Sequence, residues 1–594
     1  MGSKTFIKGK DSDLESSIKV MYEKLKALGV EINEVSTLNP VPYVYSQHIQ
    51  DSDCDLMFTN GKGACEKSCL ASALGEYFER LSCNYFFADY YLGEAFAQSE
   101  FVHYPNEKWF VCEDEGQNMP DGLLNDTLWK YYDPQNELHP SQIFDTNSGT
   151  GERGICALPF ERQHDGETIY FPVNIIGNLY VSNGMSAGNT KNEARVQALS
   201  EIYERYVKNR VIAEGISLPQ IPQTVIARYP HIEEALKKLE DHGYYLKIAD
   251  ASLGGVYPVV SVTLINPKDG SVFASFGAHP CFEVALERTV TELLQGRSLD
   301  MLDDFQSPSF NMDEVADPHN LETHFINATG LISYDFFKQS SDHAFIDWNF
   351  DSDTQNEFSY LCDIAETQGF DIYIADYGHL NVYACRIIIP QMSEIYPVED
   401  LLWSNNNEGA YFREAILSLK DLEAEEMHAI LENLEEGEYN DMTKVAEFIA
   451  VVPDTGTAWK TLQIGELKAM LYLALEDHEK AREWVTWCNH MAVLDDKRSN
   501  MYKCLHAILE IRLEDKDLVE YRDSLDMMYS SECVVLCKDI LETKEKFYGL
   551  HSPGLSLEGF EKHKTLLDAY AKIHKAKSNY YNFLKVKDEH QTKL

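Results

Sequence analysis

The sequence contains 594 residues, of which 44% are hydrophobic, and carries a formal net charge of -46 from 97 acidic and 51 basic residues. Because one hydrophobic core rarely serves a chain of this length, at least two domains are expected. The acidic excess argues against direct contact with nucleic acid or an anionic membrane and favours metal ions or cationic partners.

Targeting and cysteine patterns favour a cytoplasmic protein. The first residues carry no apolar signal core, and no apolar run reaches the length that spans a membrane. The 13 cysteines are an odd number, and the CxxxC spacing of Cys65 with Cys69 and of Cys533 with Cys537 differs from the usual zinc-ligand spacings. We therefore expect reduced thiols.

Predicted β-hairpins alternate with predicted helices along the chain. A helix is predicted near residues 13–27, followed by strands at 41–46 and 55–59 across a turn. Strand pairs return at 157–171 and at 259–276, and each is followed by a predicted helix. This repeated hairpin–helix order indicates an α+β domain whose helices lie on one side of the sheets.

The order changes in two places. Residues from about 100 to 150 are rich in Asp, Asn, Pro and Trp without a clear period, which predicts an irregular insertion. A further hairpin is predicted at 371–389, and strand signals fade after about residue 401. We therefore expect one domain over residues 1–400 and a helical domain over residues 401–594.

Two of the predicted helices share one pattern of acidic residues. The segments SALGEYFER at 72–80 and ALSEIYER at 198–205 both fit Ala-Leu-x-Glu-x-aromatic-Glu-Arg. At ~100° per residue, the glutamates share a polar stripe and the apolar residues cover the opposite face. A third helix, with ALERTVTELLQ at 285–295, presents a similar stripe. The glutamates on the three stripes are Glu76, Glu79, Glu201, Glu204 and Glu292.

The simplest interpretation of such a stripe is a solvated helix face, on which Glu76 and Arg80 form a local ion pair worth ~0.2–0.5 kcal/mol. Recurrence of the same eight-position pattern favours a functional interpretation, because a solvent face has no need to keep one order of residues. If the stripes face one cavity, repulsion among five carboxylates would keep some protonated unless hard cations bind them. Oxygen ligands in that number suit Mg²⁺.

Glycine-rich loops precede the first two acidic helices. Residues 60–64 and 183–190 allow close backbone approach and lead into helix N-termini, where free amides and the helix dipole favour an anion. A phosphate group beside bound Mg²⁺ fits this arrangement. Because the sequence contains no GxxxxGK[ST] loop, a nucleotide would need an unconventional site.

The helical region beyond residue 401 predicts a docking or dimerisation module. Within residues 459–490, two predicted helices place small and aromatic residues at offsets like those of tetratricopeptide (TPR) repeats, although an ordinary helical bundle explains the same spacing. The large apolar residues exceed what a small peripheral bundle needs to bury, which predicts a homodimer. These residues are Trp459, Tyr472, Leu473, Trp484 and Trp487.

Three motifs give the sequence a resemblance to a known family. SALGEYFER, NGMSAGNTKNEARVQALSEIYER and ALERTVTELLQGR resemble the three ATP-binding motifs of the YcaO family, and the resemblance extends from residue 10 to about residue 392. The helical end also resembles that of stand-alone YcaO proteins of γ-proteobacteria. The resemblance implies an α+β, YcaO-type ATP-binding domain of repeated β-hairpin–helix units without a Walker loop, followed by an all-α, TPR-like C-terminal domain.

The resemblance also implies two ligands, ATP and Mg²⁺, and the residues that bind them. It assigns the metal to Glu76, Glu79, Glu201, Glu204 and Glu292. It assigns contacts with ATP to Ser186, Asn189, Arg205 and Arg288 and, through a less distinctive match, to Lys10 and Ser17. No residue is identified as the general base.

The chemistry that the resemblance implies is ATP-driven activation of a peptide amide. A nucleophile adds to the carbonyl carbon, and the oxygen is phosphorylated and leaves as phosphate. Azoline-forming members usually end in a proline-rich PxPxP tail that differs from the end of this sequence, so the stand-alone subgroup is favoured. That subgroup is implicated in assisting a RimO-type methylthiotransferase that modifies a small-subunit ribosomal protein.

Two alternatives stay open at this point. An ATP-switched adaptor would bind partners through its helical tail and show nucleotide binding with negligible turnover. A thioamide-, amidine- or azoline-forming enzyme would instead carry out cyclodehydratase-like chemistry, with a sulfur or amine source in the first two cases. The resemblance implies a peptide or protein as the substrate class but neither the substrate itself nor the source of the nucleophile.

Overall fold

The computed structural model describes residues 4–112, 118–149, 151–302 and 305–591, with side chains described up to residue 587. Over these residues the strands form three antiparallel sheets with helices packed against them, and the chain then becomes entirely helical. The predicted fold class, α+β with a helical C-terminal region, is confirmed. Within the same ranges, none of the helices combines the length and the apolar character needed to cross a lipid bilayer.

The strands come from widely separated parts of the chain. In chain order they are β1 (Ile32–Val41), β2 (Val44–Asp51), β3 (Phe58–Gly63), β4 (Lys108–Phe110), β5 (Ile155–Arg162), β6 (Thr168–Pro172), β7 (Met185–Gly188), β8 (Tyr245–Asp250), β9 (Val259–Ile265), β10 (Val272–Ala278), β11 (Tyr373–Tyr377) and β12 (Tyr383–Ile388). The sheets have the orders β1-β2-β3, β10-β9-β8 and β4-β5-β11-β12-β7, and β6 pairs with β5.

Helices separate these strands and then form the C-terminal region. Before residue 400 they are α1 (Leu14–Leu28), α2 (Glu66–Ser82), α3 (Glu94–Ala97), α4 (Asp126–Tyr132), α5 (Val173–Ile175), α6 (Lys191–Ala213), α7 (Gln223–Ile226), α8 (Pro230–Asp241), α9 (Phe282–Leu293), α10 (Met312–Val315), α11 (Pro318–Ile326) and α12 (Thr354–Thr367). From residue 400 they are α13 (Asp400–Trp403), α14 (Arg413–Leu417), α15 (Ala424–Glu436), α16 (Val445–Phe448), α17 (Ile464–Ala474), α18 (His478–Met491), α19 (Asp496–Leu513), α20 (Leu518–Tyr529), α21 (Ser531–Leu541) and α22 (Glu561–Gln591).

All four predicted hairpins form, but the strand that enters the second acidic helix is different from the one expected. The pairs β2–β3, β5–β6, β9–β10 and β11–β12 are antiparallel. Part of the predicted glycine-rich loop at 183–190 is the short strand β7, which pairs with β12 and places Ser186 opposite Cys385. Because this pairing joins segments about 200 residues apart, no local sequence pattern records it.

The predicted insertion at about 100–150 contains short ordered elements. β4 pairs with β5, and α4 also lies inside this stretch, while residues 113–117 and 150 fall outside the described residues. From the helical tail, the buried Arg413 donates hydrogen bonds to the carbonyl oxygen of Thr146 at 2.8 Å and to that of Ile449 at 2.8 Å. The insertion therefore contacts the tail.

The five apolar residues behind the homodimer prediction lie within the fold of one chain. Trp459 is fully buried, and Tyr472 and Leu473 are buried. Trp484 and Trp487 are partly buried against the same core. Their area is used inside the helical tail, so these residues do not supply a dimer surface, and the homodimer stays a prediction.

The last helix, α22, returns from the tail to the sheet-containing part of the chain. Tyr570 packs in the core that also holds apolar residues of α1 and α2. Lys577 is fully buried and donates hydrogen bonds to Asn84 and to the carbonyl oxygen of His103. Because α22 contributes to the core that holds residues of α1 and α2, residues 401–594 are not packed only among themselves, and the boundary near residue 400 stays a prediction.

Candidate functional site

Three helices place a glutamate at the same distance from their starts. α2, α6 and α9 each follow a sheet strand and begin after an N-cap residue. In each helix a glutamate follows the N-cap by 11 residues, about three turns, so each carboxylate lies above the start of its helix on the same side. The pairs of N-cap and glutamate are Cys65 with Glu76, Thr190 with Glu201, and Cys281 with Glu292.

Two glycines allow the helices to touch the strands that precede them. A Cβ atom at Gly61 of β3 would lie 2.5 Å from the backbone nitrogen of Ala73 on α2. A Cβ atom at Gly277 of β10 would lie 2.7 Å from the backbone nitrogen of Thr289 on α9. Only glycine fits such a close approach. The same close contact in two units sets the distance between each acidic helix and the strand before it.

The three stripes face one cavity of about 1820 Å³. The structure therefore brings together the side chains that the sequence singled out, although their roles as ligands stay predictions. All eleven line this cavity: Lys10, Ser17, Glu76, Glu79, Ser186, Asn189, Glu201, Glu204, Arg205, Arg288 and Glu292.

Burial and mutual repulsion raise the pKa of two carboxylates of this cavity, Glu79 and Glu201. Burial raises the pKa of Glu79 well above its ordinary value, and the charges of Glu201 and Glu76 raise it further. Burial also raises the pKa of Glu201, although Arg205 opposes the shift. A hard cation would relieve this repulsion and replace the protons, so the donor set fits Mg²⁺.

The expected ion pair of Glu76 with Arg80 and the equivalent pair of Glu201 with Arg205 both form, in the wall of the cavity. Arg80 lies 2.5 Å from Glu76, and Arg205 lies 2.5 Å from Glu201. The side chains of Arg205 and Glu201 are only 21% and 18% exposed, which excludes a freely solvated face. Arg205 also donates a hydrogen bond to Asn183 at 3.0 Å and lies 4.9 Å above the ring of Phe325.

A buried glutamate that the sequence analysis missed connects three of the predicted ATP contacts. Ser17 donates to Asn189 at 2.7 Å, Asn189 donates to Glu193 at 3.0 Å, and Lys10 lies 3.3 Å from Glu193. Burial opposes ionisation of Glu193, yet Lys10 and the backbone N–H of Asp11 lower its pKa overall. Thr190 and Glu193 have the spacing of a capping box at the start of α6. This local pattern gives no sign that Glu193 also contacts Lys10 and Asn189.

The remaining predicted contacts occupy separate positions on the cavity wall. Ser186 is fully buried on β7. Arg288 of α9 donates a hydrogen bond to Gln197 of α6 at 2.6 Å, which joins two of the acidic helices. Glu204 accepts a hydrogen bond from the backbone N–H of Ala278 at 3.2 Å, at the end of β10.

Two lysines that the sequence analysis did not assign also line the cavity. Lys62 of β3 forms an ion pair with Glu292, and Lys208 of α6 donates to the carbonyl oxygen of His324 at 3.0 Å. Burial is the main cause that lowers the pKa of each lysine to about 8. Single lysines form no repeated pattern, so only the fold could assign them. Together with the arginines, they supply positive charge that a polyphosphate would need.

Comparison with known proteins identifies relatives along almost the whole chain. This chain is 53% identical over 584 residues to the ribosomal protein S12 methylthiotransferase accessory factor YcaO of Escherichia coli. The match covers 98% of this chain and 100% of that protein. This chain is also 52% identical over 583 residues to an uncharacterized protein of Haemophilus influenzae, and the match covers 97% of this chain and 99% of that protein. Among solved structures, YcaO from Methanopyrus kandleri bound with AMPPCP and Mg²⁺ has a TM-score of 0.41 and 16% identity to this chain. The match covers 68% of this chain and 97% of that structure.

Family models cover both parts of the chain. Residues 60–393 match the model of the YcaO cyclodehydratase, described as ATP- and Mg²⁺-binding, and residues 409–579 match the YcaO cyclodehydratase C-terminal domain. ATP and Mg²⁺ are the two ligands that the family resemblance implies. The chain therefore belongs to the YcaO family, whose ligands are ATP and Mg²⁺.

Proposed function

We propose that this chain uses ATP and Mg²⁺ to activate a peptide amide, and that it thereby assists a methylthiotransferase acting on a ribosomal protein. The observation that supports the ATP-dependent step is the convergence of five glutamates with arginine and lysine side chains in one cavity. Crowded carboxylates suit a hard cation, and the neighbouring positive groups suit the phosphates of the nucleotide.

The cavity residues divide into two proposed sets. Glu76, Glu79, Glu201, Glu204 and Glu292 hold Mg²⁺, which when bound offsets negative charge on the transferring phosphoryl group. The nucleotide is held by Lys10, Ser17, Ser186, Asn189, Arg205 and Arg288. Arg205 is already oriented by its contacts with Glu201 and Asn183 before any ligand arrives. Such preorganised groups lower the cost of stabilising charge in the transition state.

The proposed partner follows from the relative and from charge. The Escherichia coli relative is named as an accessory factor of the ribosomal protein S12 methylthiotransferase, and the alignment spans both proteins almost completely. A chain with a net charge of -46 is attracted to a basic protein and repelled by RNA. A RimO-type methylthiotransferase and a small-subunit ribosomal protein are therefore proposed as partners, in the cytoplasm.

One observation favours a second candidate, the ATP-switched adaptor without chemistry of its own. α22 runs from the helical tail to the cavity, where Tyr580 forms part of the wall. Nucleotide binding and partner binding could be coupled through this helix without amide activation. In that case a non-hydrolysable analogue would serve as well as ATP.

The test reconstitutes methylthiolation from purified proteins. Ribosomal protein S12 and its methylthiotransferase are incubated with this chain and Mg²⁺, together with ATP or AMPPCP, and the mass of S12 and the release of phosphate are measured. We expect modification above the level without the chain only with ATP, accompanied by phosphate, and none of this increase with Glu79→Gln. Equal stimulation by AMPPCP supports the adaptor, and no stimulation by either nucleotide contradicts both candidates.

The homodimer is proposed through the C-terminal helices, on a surface other than the one first expected. On α20, Val519 is 79% exposed, Met527 is 87% exposed and Met528 is 61% exposed. Exposed apolar groups on one helix favour association. Light scattering should give twice the chain mass at micromolar concentration, and Met527→Glu should reduce this measured mass. A wild-type monomer would contradict the dimer.

A further inference from the structure

Three cysteines of the helical tail bring their sulfur atoms together although they are far apart in sequence. Cys504 lies on α19, and Cys533 and Cys537 lie one turn apart on α21. The three Sγ atoms all lie within 4.8 Å of one another. Cys504 and Cys537 are fully buried, and Cys533 is half-buried. The cluster is therefore close to the surface on one side only.

Packing between the two helices holds these thiols in place. Cys504 and Cys537 belong to the main core of the tail, and Cys533 packs against it. The Cys537 thiol donates to the carbonyl oxygen of Met501 at 3.5 Å, which lies one turn before Cys504 on α19. The CxxxC pair on α21 supplies two of the sulfurs, and the third comes from a different helix, which sequence spacing cannot show.

The separation of the sulfurs fits a shared metal ion better than the alternatives. Zinc–sulfur bonds of about 2.3 Å in a tetrahedral arrangement place sulfurs about 3.8 Å apart, so small side-chain rotations would close this cluster on one ion. A disulfide would use two of the sulfurs and leave the third beside it without a role. Cys488 of the same core lies outside the cluster, which shows that an apolar filling role does not require three thiols together.

The acidic side chain of Asp526 on α20 is paired within the tail. The Nε atom of Arg522 donates a hydrogen bond to Oδ2 of Asp526 at 3.0 Å and lies 3.0 Å from Oδ1. Asp526 therefore already has a counter-charge and is not needed as a ligand. Three protein ligands are enough for a zinc site whose fourth position is taken by water.

We propose that Cys504, Cys533 and Cys537 form a binding site for Zn²⁺ or a similar soft cation that fastens α19 and α21 together, with water as the fourth ligand. Binding replaces the thiol protons by metal–thiolate bonds and releases those protons to solvent. Sulfur ligands distinguish this site from the glutamate-lined cavity, because hard cations such as Mg²⁺ prefer oxygen. The site is independent of the proposed ATP-dependent function.

The experiment titrates Cd²⁺ and Zn²⁺ into the full chain after chelation and reduction, with Mg²⁺ and ATP present to occupy the acidic cavity. The ultraviolet charge-transfer absorption of Cd²⁺–thiolate bonds reports sulfur ligands only. We expect one Cd²⁺ per chain with this absorption, displacement by Zn²⁺, and a melting temperature raised by Zn²⁺. Cys533→Ala is the least disruptive variant, since Cys533 is half-buried, and Cys537→Ala tests a buried ligand.

Loss of one thiolate should weaken Zn²⁺ binding by more than the roughly 10–100-fold that loss of an outer-sphere partner costs. Cys488→Ala, which removes a buried thiol of the same core outside the cluster, should leave binding unchanged. The proposal is overturned if the wild type shows no charge-transfer absorption, or if Cys533→Ala keeps the full signal and affinity. Oxidation of two of these cysteines to a disulfide in a wild type that binds no Zn²⁺ would overturn it as well.

Discussion

Buried carboxylates occur in two regions of this molecule, in different surroundings. In the helical tail, Glu466 is fully buried and accepts hydrogen bonds from Arg498 at 3.2 Å and from the Tyr502 hydroxyl at 2.9 Å. In the cavity, Glu79 lies among other acids, and its pKa is raised well above the ordinary value by burial and then by Glu201. One acid is neutralised by its neighbours, and the other is opposed by them.

The difference teaches how to separate a structural charge from a ligand. Burial raises the pKa of Glu466 too, but there the next causes, the charge and hydrogen bond of Arg498, act in the opposite direction. A buried charge persists when the protein itself pairs it, or when a bound ion does so. Glu466 therefore fixes α17 against α19, whereas we expect Glu79 to gain a counter-charge only from a bound cation.

The largest effect is expected from breaking the pair in the tail. Glu466→Gln keeps the shape but leaves the guanidinium of Arg498 buried without its counter-charge, so the free energy of unfolding should fall by about 3–5 kcal/mol. Urea unfolding followed by circular dichroism measures this loss. Glu514→Gln, at a side chain that is 66% exposed, should change it by less than about 0.5 kcal/mol. A loss below about 1 kcal/mol for Glu466→Gln would show that the pair is not structural.

The next largest effect concerns the cavity. Mg²⁺ and ATP at a hundredfold excess over the dissociation constant should stabilise the wild type by about 2.7 kcal/mol. Glu79→Gln removes a predicted metal ligand, so this variant should lose most of that stabilisation, and Glu514→Gln should keep it. Thermal unfolding with and without the ligands measures the difference. An undiminished ligand effect in Glu79→Gln would return these glutamates to a purely structural role.

Much of the cavity could be predicted because its signal is local and repeated. Glu76 and Glu201 stand in the same eight-position pattern, and helix periodicity alone places their neighbours Glu79 and Glu204 on the same stripe. The hairpins were predictable for the same reason, since each joins adjacent strands across a short connection. The convergence of three separate stripes required the tertiary structure.

What could not be predicted depends on distant contacts. The β7–β12 pairing and the position of Lys208 beside His324 join segments that no short pattern relates. Burial of Trp459 in the tail was also hidden, because an apolar residue has the same sequence signal whether it fills a core or an interface. The sequence therefore predicted the secondary-structure elements and the class of ligand better than it predicted which apolar residues are available for an interface.

An intermediate effect tests how the strand–helix units position the carboxylates. Gly277→Ala would push a Cβ atom against the backbone of α9, which should cost about 1–3 kcal/mol and weaken ATP binding by displacing Glu292. Gly75→Ala is the matched control, because a Cβ atom there meets nothing within 4 Å on α2. Its stability should be unchanged or raised by up to about 1 kcal/mol through helix propensity. Equal stability and ATP affinity in both variants would contradict the close approach.

The smallest effect concerns the metal-free protein and its pH dependence. Folding raises the pKa of Glu79 above the ordinary value of 4.5. As the pH rises above 4.5, the unfolded chain therefore releases the Glu79 proton while the folded chain still keeps it. The stability of the wild type therefore falls with rising pH through this range, whereas Gln at position 79 has no proton to lose. Without Mg²⁺, Glu79→Gln should be more stable than the wild type at neutral pH, and the difference should vanish below the ordinary carboxyl pKa.

Melting temperatures in chelator, from about pH 4 to about pH 8, measure this difference. Glu514→Gln should follow the wild type throughout, because its carboxylate is exposed and Glu514 is not among the residues that line the cavity. Added Mg²⁺ should remove the advantage of Glu79→Gln, since the cation stabilises only the chain that retains the carboxylate. Parallel curves for the wild type and Glu79→Gln would show that Glu79 is as well satisfied without metal as Glu466 is by Arg498, and the contrast between the two regions would then fail.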